Sequence, residues 1–163
     1  MGGPRERVLL LERLHGLLGG RRLVRSTDGA AVFEVNRTED RLHQVVVIRD
    51  LEGRDVALLD ERLSAAERSI VVHRPGSTPA TVRRVGGIGD SQRWVIASRG
   101  EDRLEVLGDI SHRCRFESGG CTVAETQDAV DGDSALRMVV RSGTDPILVV
   151  AATVAIEQLT YYA

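Results

Sequence analysis

The amino-acid sequence predicts a mainly β fold: a closed antiparallel barrel of about twelve strands enclosing a C-terminal hydrophobic helix. Three observations carry that expectation. Glycine turns recur at Gly29, Gly53, Gly76, Gly100 and Gly119, with gaps of 24, 23, 24 and 19 residues, and a fixed period of this length marks one supersecondary unit used repeatedly. The segments flanking each turn are rich in β-branched and aromatic residues of near-alternate polarity, the pattern of half-buried strands. The chain then runs into DPILVVAATVAIEQLTYYA, its most apolar stretch.

The elements follow in order. RVLLLERL reads as an opening strand; the spacing of RVLLLERLHGLL also suits an amphipathic helix, and the repeat that follows favours the strand. Five hairpins come next, pairing RRLVRST with AAVFEVNR, HQVVVIRD with RDVALLDER, SIVVHR with PATVRRV, QRWVIAS with DRLEVLGDI, and HRCRFES with CTVAETQ. SALRMVVR supplies a final strand. The strands fall over about residues 7–141 and the helix over about 146–160, and a chain of 163 residues suits one domain spanning 1–163 rather than two.

Alternation decides the topology. In AVFEV, Ala31, Phe33 and Val35 face one way while Val32 and Glu34 face the other, so a single face seeks a core. Consecutive antiparallel strands of this kind leave exposed edges unless the sheet closes on itself. A closed barrel of about twelve strands is too wide for its own side chains to fill. The tail is the segment suited to occupy the lumen.

As a helix the tail begins well, because Thr144 or Asp145 suits the cap and Pro146 the first helical position. From Ile147 to Ile156 only Thr153 is polar, and a helix apolar on all sides is buried on all sides. Ten such residues reach about 15 Å, half of a bilayer core, before Glu157 and Gln158 interrupt, which argues against a transmembrane span. Ala151, Ala152 and Ala155 keep one side slim, and the seven larger side chains from Ile147 to Leu159 contribute on the order of 10 to 20 kcal/mol when buried.

Composition narrows the function. A formal net charge of -2 argues against general nucleic-acid binding. All 22 basic residues are arginine, so neither a Schiff-base lysine nor a P-loop lysine is available. With a two-residue turn at Gly119 and Gly120, Ser118 faces Cys121 and Cys114 faces Glu125, a register that separates the two sulfurs and predicts free thiols in a reducing compartment. No export signal is evident at the N-terminus, and the expected location is the cytoplasm, free or peripheral to a membrane.

LEVLGDISHRCRFESGGCTVAETQ is similar to a strand, Gly-Asp turn, strand, glycine hairpin and Val-Ala return strand of a known family. SGTDPILVVAATVAIEQL resembles that family's acidic residue, its Ile/Leu/Val/Ala helix and its terminal Ala-Ile-acidic triplet, here Ala155, Ile156 and Glu157. On these stretches the chain resembles the LURP-one-related proteins, which share the tubby C-terminal fold and are distantly related to the phospholipid scramblases. The resemblance implies a tubby-like barrel around a central helix, with phosphoinositide binding by basic residues in some relatives.

Catalytic chemistry finds little support. His15, His43, His73 and His112 are widely spaced and lack zinc-ligand spacing, so no metal site is expected. Asp128, Asp131 and Asp133 in DAVDGDS lack the pattern of a calcium loop, and VGGIGDS is a bend rather than a dinucleotide loop. No catalytic residues and no cofactor are nominated. Arg83 and Arg84 in TVRRV, with Arg93 across the next loop, are the candidate anion site for a lipid headgroup or phosphate, the alternative being solvated strand charges. The function expected is a non-catalytic binding module for a lipid, another anion or a protein partner. Membrane-associated, scramblase-like lipid handling is the alternative, and an enzyme with an unrecognised site the third.

Overall fold

The computed structural model describes residues 5–13, 20–40, 43–64, 67–86, 92–110, 112–129 and 135–161. Twelve strands precede one helix: β1 (Arg7–Glu12), β2 (Arg21–Ser26), β3 (Ala31–Asp40), β4 (His43–Asp50), β5 (Asp55–Leu63), β6 (Arg68–His73), β7 (Ala80–Gly86), β8 (Arg93–Ser98), β9 (Leu104–Asp109), β10 (Arg113–Ser118), β11 (Cys121–Asp128), β12 (Ala135–Val140) and α1 (Pro146–Tyr161). Each strand pairs with its neighbour in sequence, and β1 closes the sheet on β12, with Leu9 opposite Met138 and Leu11 opposite Leu136. The barrel therefore has no unpaired edge. The opening segment is a strand over Arg7–Glu12; the stretch LHGLL that follows lies outside the described residues, as does most of VGGIGDS.

The five glycine turns join β2 to β3, β4 to β5, β6 to β7, β8 to β9 and β10 to β11. The turn at Gly53 shows why this sequence folds so tightly. Gly53 has φ 81°, a conformation glycine adopts without steric cost. Asp50 Oδ1 accepts hydrogen bonds from the backbone N–H of Glu52 at 3.0 Å and of Arg54 at 2.9 Å. The bonds from Arg54 and Glu52 hold the Asp50 carboxyl below its usual range.

All five turns share one end of the barrel, and the chain enters α1 from that same end after β12. Asp145 is the cap: its Oδ1 accepts from the Ile147 N–H at 3.0 Å, and its Oδ2 accepts from Arg74 Nη1 at 2.7 Å. From there α1 runs through the lumen, lying closest to β5, β6 and β7. Every residue from Leu148 to Gln158 is buried. Inward-facing strand side chains such as Leu11, Ile48, Ile70, Phe116 and Met138 complete one continuous core with it. Thr153, the one polar residue of the apolar run, is satisfied by donating to the Val149 carbonyl at 2.8 Å.

Two details differ from the sequence expectation. Cys114 lies opposite Thr126 rather than Glu125, because a bulge at Phe116/Glu117 sets Ala124 and Thr122 against those residues and leaves Val123 extra. Cys114, on the inward face of β10 with Phe116, is a buried core residue and Cys121 an exposed one, both free. Glu157 and Gln158, expected as the polar stop after the apolar run, are buried in a helix that continues to Tyr161.

Gly108 in β9 has φ 115°, and a Cβ there would collide with the Arg113 carbonyl oxygen across the hairpin. Gly108→Ala is expected to lower stability by about 1–3 kcal/mol, as read from the midpoint of urea unfolding. A chain ending at Asp145 is expected to lose its cooperative thermal transition and its dispersed amide spectrum, since α1 is what fills the lumen among the described residues.

Candidate functional site

Strand parity builds the site. Along each strand, alternate residues face the lumen, and toward the end where α1 terminates the inward positions change from apolar to polar. Arg13 follows Leu11, Arg22 precedes Val24, Arg37 follows Val35, Glu61 follows Leu59, Arg68 precedes Ile70, Arg84 follows Val82, Gln92 precedes Trp94 and Asp128 follows Thr126. With Glu157 from the helix, these described inward positions carry five arginines and three carboxylates, and Glu67 borders them.

Two pairs hold the last turns of α1. Arg22 Nη1 donates to Glu157 Oε2 at 3.1 Å, with both side chains buried, and also to the Glu12 carbonyl at 3.2 Å. Gln158 Nε2 donates to Glu61 Oε2 at 2.9 Å, and Arg68 Nε donates to Glu61 Oε1 at 2.8 Å. Burial pushes the Glu157 carboxyl above the ordinary glutamate value of 4.5, with Arg22 opposing that rise.

Beside these pairs, between the end of α1 and β6, β7 and β8, lies a cavity of about 400 Å³. It is lined by Glu67, Arg68, Arg84, Gln92, Trp94, Leu159 and Thr160, and its volume is within the range of small-molecule sites. Arg84 lies directly opposite Trp94 in the β7–β8 register, so the two share a face. Trp94 is 3% exposed, and its Nε1–H has no acceptor among the described residues. A buried donor left unpaired is costly, so this group is a local penalty within the packing at the mouth.

The three arginines singled out in the sequence divide between the two faces. Arg83 and Arg93 are on the outer face, where Arg83 approaches Glu67 at 3.9 Å and Arg93 Nη2 donates to Glu105 at 3.3 Å. Arg84 alone is on the inner face at the mouth. Parity was available from the sequence for the neighbouring pair, since adjacent residues in a strand point apart; Arg68 and Trp94 were missed because their convergence depends on the pairing of β6, β7 and β8.

The other candidates remain dispersed. His73 ends β6, and His112 Nδ1 stands 3.6 Å from Asp128 Oδ2 in the β9–β10 turn region. His15, the His43 side chain, Asp131 and Asp133 lie outside the described residues. Among the described residues no three histidine, cysteine or acidic side chains gather as metal ligands. Burial pushes the Cys114 thiol up to about 12, which keeps it protonated at neutral pH.

A sequence model of the family described as LURP-one-related matches residues 10–157. The chain belongs to the LURP-one-related family. An X-ray structure of a protein from Arabidopsis thaliana is similar in fold, with a TM-score of 0.71 at 18% identity over 96% of this chain and 93% of that one. No curated protein matches the chain. In this LURP-one-related barrel, Glu157 of the Ala155-Ile156-Glu157 triplet has a physical role: it is the acid that neutralises Arg22 inside the mouth.

Glu157→Gln leaves Arg22 buried without its counter-charge, and a loss of about 3–5 kcal/mol in chemical denaturation is expected, largely recovered in the double variant Arg22→Met with Glu157→Leu. The folded protein also holds the Glu157 proton longer than the unfolded chain. Stability should therefore fall as pH rises from the ordinary glutamate range through the raised folded value, a step that Glu157→Gln lacks.

Proposed function

We propose that the protein is a non-catalytic binding module that recognises an anionic group at the barrel mouth. The observation that carries this reading is a concave site at the barrel mouth, beside the end of α1, whose wall includes Arg68, Arg84 and Gln92 around Trp94. Such a site offers direction as well as charge, through planar guanidinium groups suited to oxygen pairs. The anion is that of a lipid headgroup, a free small molecule or an acidic segment of a protein partner. Arg83 and Arg93, set against Glu67 and Glu105 on the outer face, lie outside this site. A cytoplasmic location, free or peripheral to a membrane, is part of this proposal, and the two free thiols are in keeping with a reducing compartment.

Membrane-associated lipid handling is the second reading, favoured by one observation. Leu63 (78% exposed) and Val85 (40% exposed) stand at the strand ends of β5 and β7 on the same rim as the cavity. Exposed aliphatic side chains beside arginines suit the interfacial zone of a bilayer. In this reading contact is made by the rim, since no helix among the described residues is long and apolar enough to cross a membrane.

Flotation with vesicles separates the readings. Recovery with phosphatidylserine-containing vesicles but not with phosphatidylcholine alone is expected, weakened by salt. Arg84→Glu should abolish it while Arg93→Glu reduces it only modestly. Recovery in the soluble fraction under every lipid composition would remove both membrane versions. A normal flotation of Arg84→Glu would move the site away from the mouth.

A further inference from the structure

At the turn end of the barrel, away from the mouth, a groove runs between β7 and β8. It has a volume of about 600 Å³ and is lined by Thr78, Pro79, Thr81, Ala97, Ser98 and Arg99, a size within the range of small-molecule sites. Strand register explains the hollow. Thr81 lies directly opposite Ala97, and both point outward because Ala80, Val82 and Ile96 beside them are buried in the core. Ala97 carries only a methyl group, so the outer surface of the sheet is low at this position.

Arg99 is the one ionisable residue on the wall. Its side chain is exposed, and its guanidinium has no hydrogen-bond or ion-pair partner among the described residues. Other arginines of the outer face are spent differently: Arg49 meets Asp55, Arg83 meets Glu67 and Arg93 meets Glu105. Glu101, in the same turn as Arg99, is engaged elsewhere. It accepts from Ser98 Oγ at 3.1 Å and stands 3.8 Å from Nη2 of the buried Arg74. The Thr78 and Thr81 hydroxyls make no hydrogen bond among the described residues, so each has an O–H to give.

This inventory selects a class of ligand. A guanidinium repels cations, and its planar fork pairs with two oxygens of an anion. A carboxylate spends both of its oxygens on such a fork. A tetrahedral oxyanion has further oxygens outside that plane, within the capacity of hydroxyl donors from β7 to satisfy. The groove is also larger than a bare tetrahedral ion, and the Pro79 ring and Ala97 methyl offer carbon surface to an organic body.

We propose that this groove binds a small soluble ester of a tetrahedral oxyanion, a phosphate or sulfate monoester, with Arg99 as its charged donor and Thr81 as a hydroxyl donor. The site is separate from the mouth and does not rest on the reading of the mouth as an anion site.

Phenyl phosphate and phenyl sulfate are suitable probes, titrated into the full-length protein by calorimetry and by amide shifts. Saturable shifts are expected at Thr81, Ala97 and Arg99, weakened by salt. Benzoate should bind at least about fivefold more weakly than either ester, and inorganic sulfate more weakly still. Arg99→Ala should lower ester affinity by about tenfold or more, while Arg103→Ala in the same turn stays within about twofold. Thr81→Val keeps the side-chain shape and should cost several-fold in affinity with an unchanged melting temperature. Ala97→Leu, which fills the hollow, should abolish binding in a protein that still melts cooperatively.

Ester binding that survives both Arg99→Ala and Ala97→Leu would overturn the assignment. So would benzoate binding as tightly as the esters, or no saturable binding of either ester. Flotation on phosphatidic acid vesicles that is lost in Arg99→Ala, without binding of the free esters, would place the oxyanion on a lipid and overturn the soluble ligand.

Discussion

A helix apolar on every side has no face to offer water, and a twelve-stranded barrel is too wide for its own side chains to fill. Each element is untenable alone, and the burial of α1 inside the sheet resolves both difficulties at once. The other features of the molecule follow from that packing. Closed pairing from β1 to β12 is required because an open sheet would leave the helix wet, and Ala151, Ala152 and Ala155 are required because the lumen admits only a slim helix on that side. The small residues and the closure are two sides of one volume constraint.

Threading a helix through a barrel places its two polar ends where backbone groups lose water, and each end is matched by an arginine–carboxylate pair. At the entrance Asp145 caps the first turn and accepts from Arg74. At the exit Glu157 meets Arg22, and Gln158 reaches Glu61 and through it Arg68. Pairs of this kind add little net stability over apolar substitutes, but removing one partner is costly. Their use here is positional. They fix how far the helix is inserted, and with it the depth at which Leu159 and Thr160 meet the strands.

Much of the architecture was legible because it rests on local rules. The turn at Gly53 needs a positive φ and a side-chain acceptor, and both are written in DLEGRD; the alternation in AVFEV states which face is buried. The limits come from geometry that no local stretch carries. A single extra residue at Val123 moves Cys114 from Glu125 to Thr126, and a bulge leaves no clear mark in an otherwise regular strand. Arg22 and Glu157 are 135 residues apart, and their pairing needs both the helix register and the barrel closure. The candidate arginines show the intermediate case. Period-two parity separates Arg83 from Arg84, whereas the approach of Arg84 to Trp94 requires the β7–β8 register as well.

The same topology limits where the proposed recognition can occur. A closed barrel with every strand paired has no sheet edge on which to add a peptide strand, and its core face is occupied by α1. One concavity forms where the helix ends, and a second lies at the turn end, lined by Thr78, Pro79, Thr81, Ala97, Ser98 and Arg99. At the entrance, tight turns and the Asp145 cap bring the backbone close over the helix start. At the exit, the inward positions turn polar one rung before the helix stops, so Trp94 remains buried while its donor lacks an internal acceptor. A core tryptophan placed one rung deeper would face only hydrocarbon, and one rung outward it would be solvated. Its position at the boundary between the apolar core and the arginine-rich ring leaves a directional polar group unspent, and that boundary is set by where α1 ends.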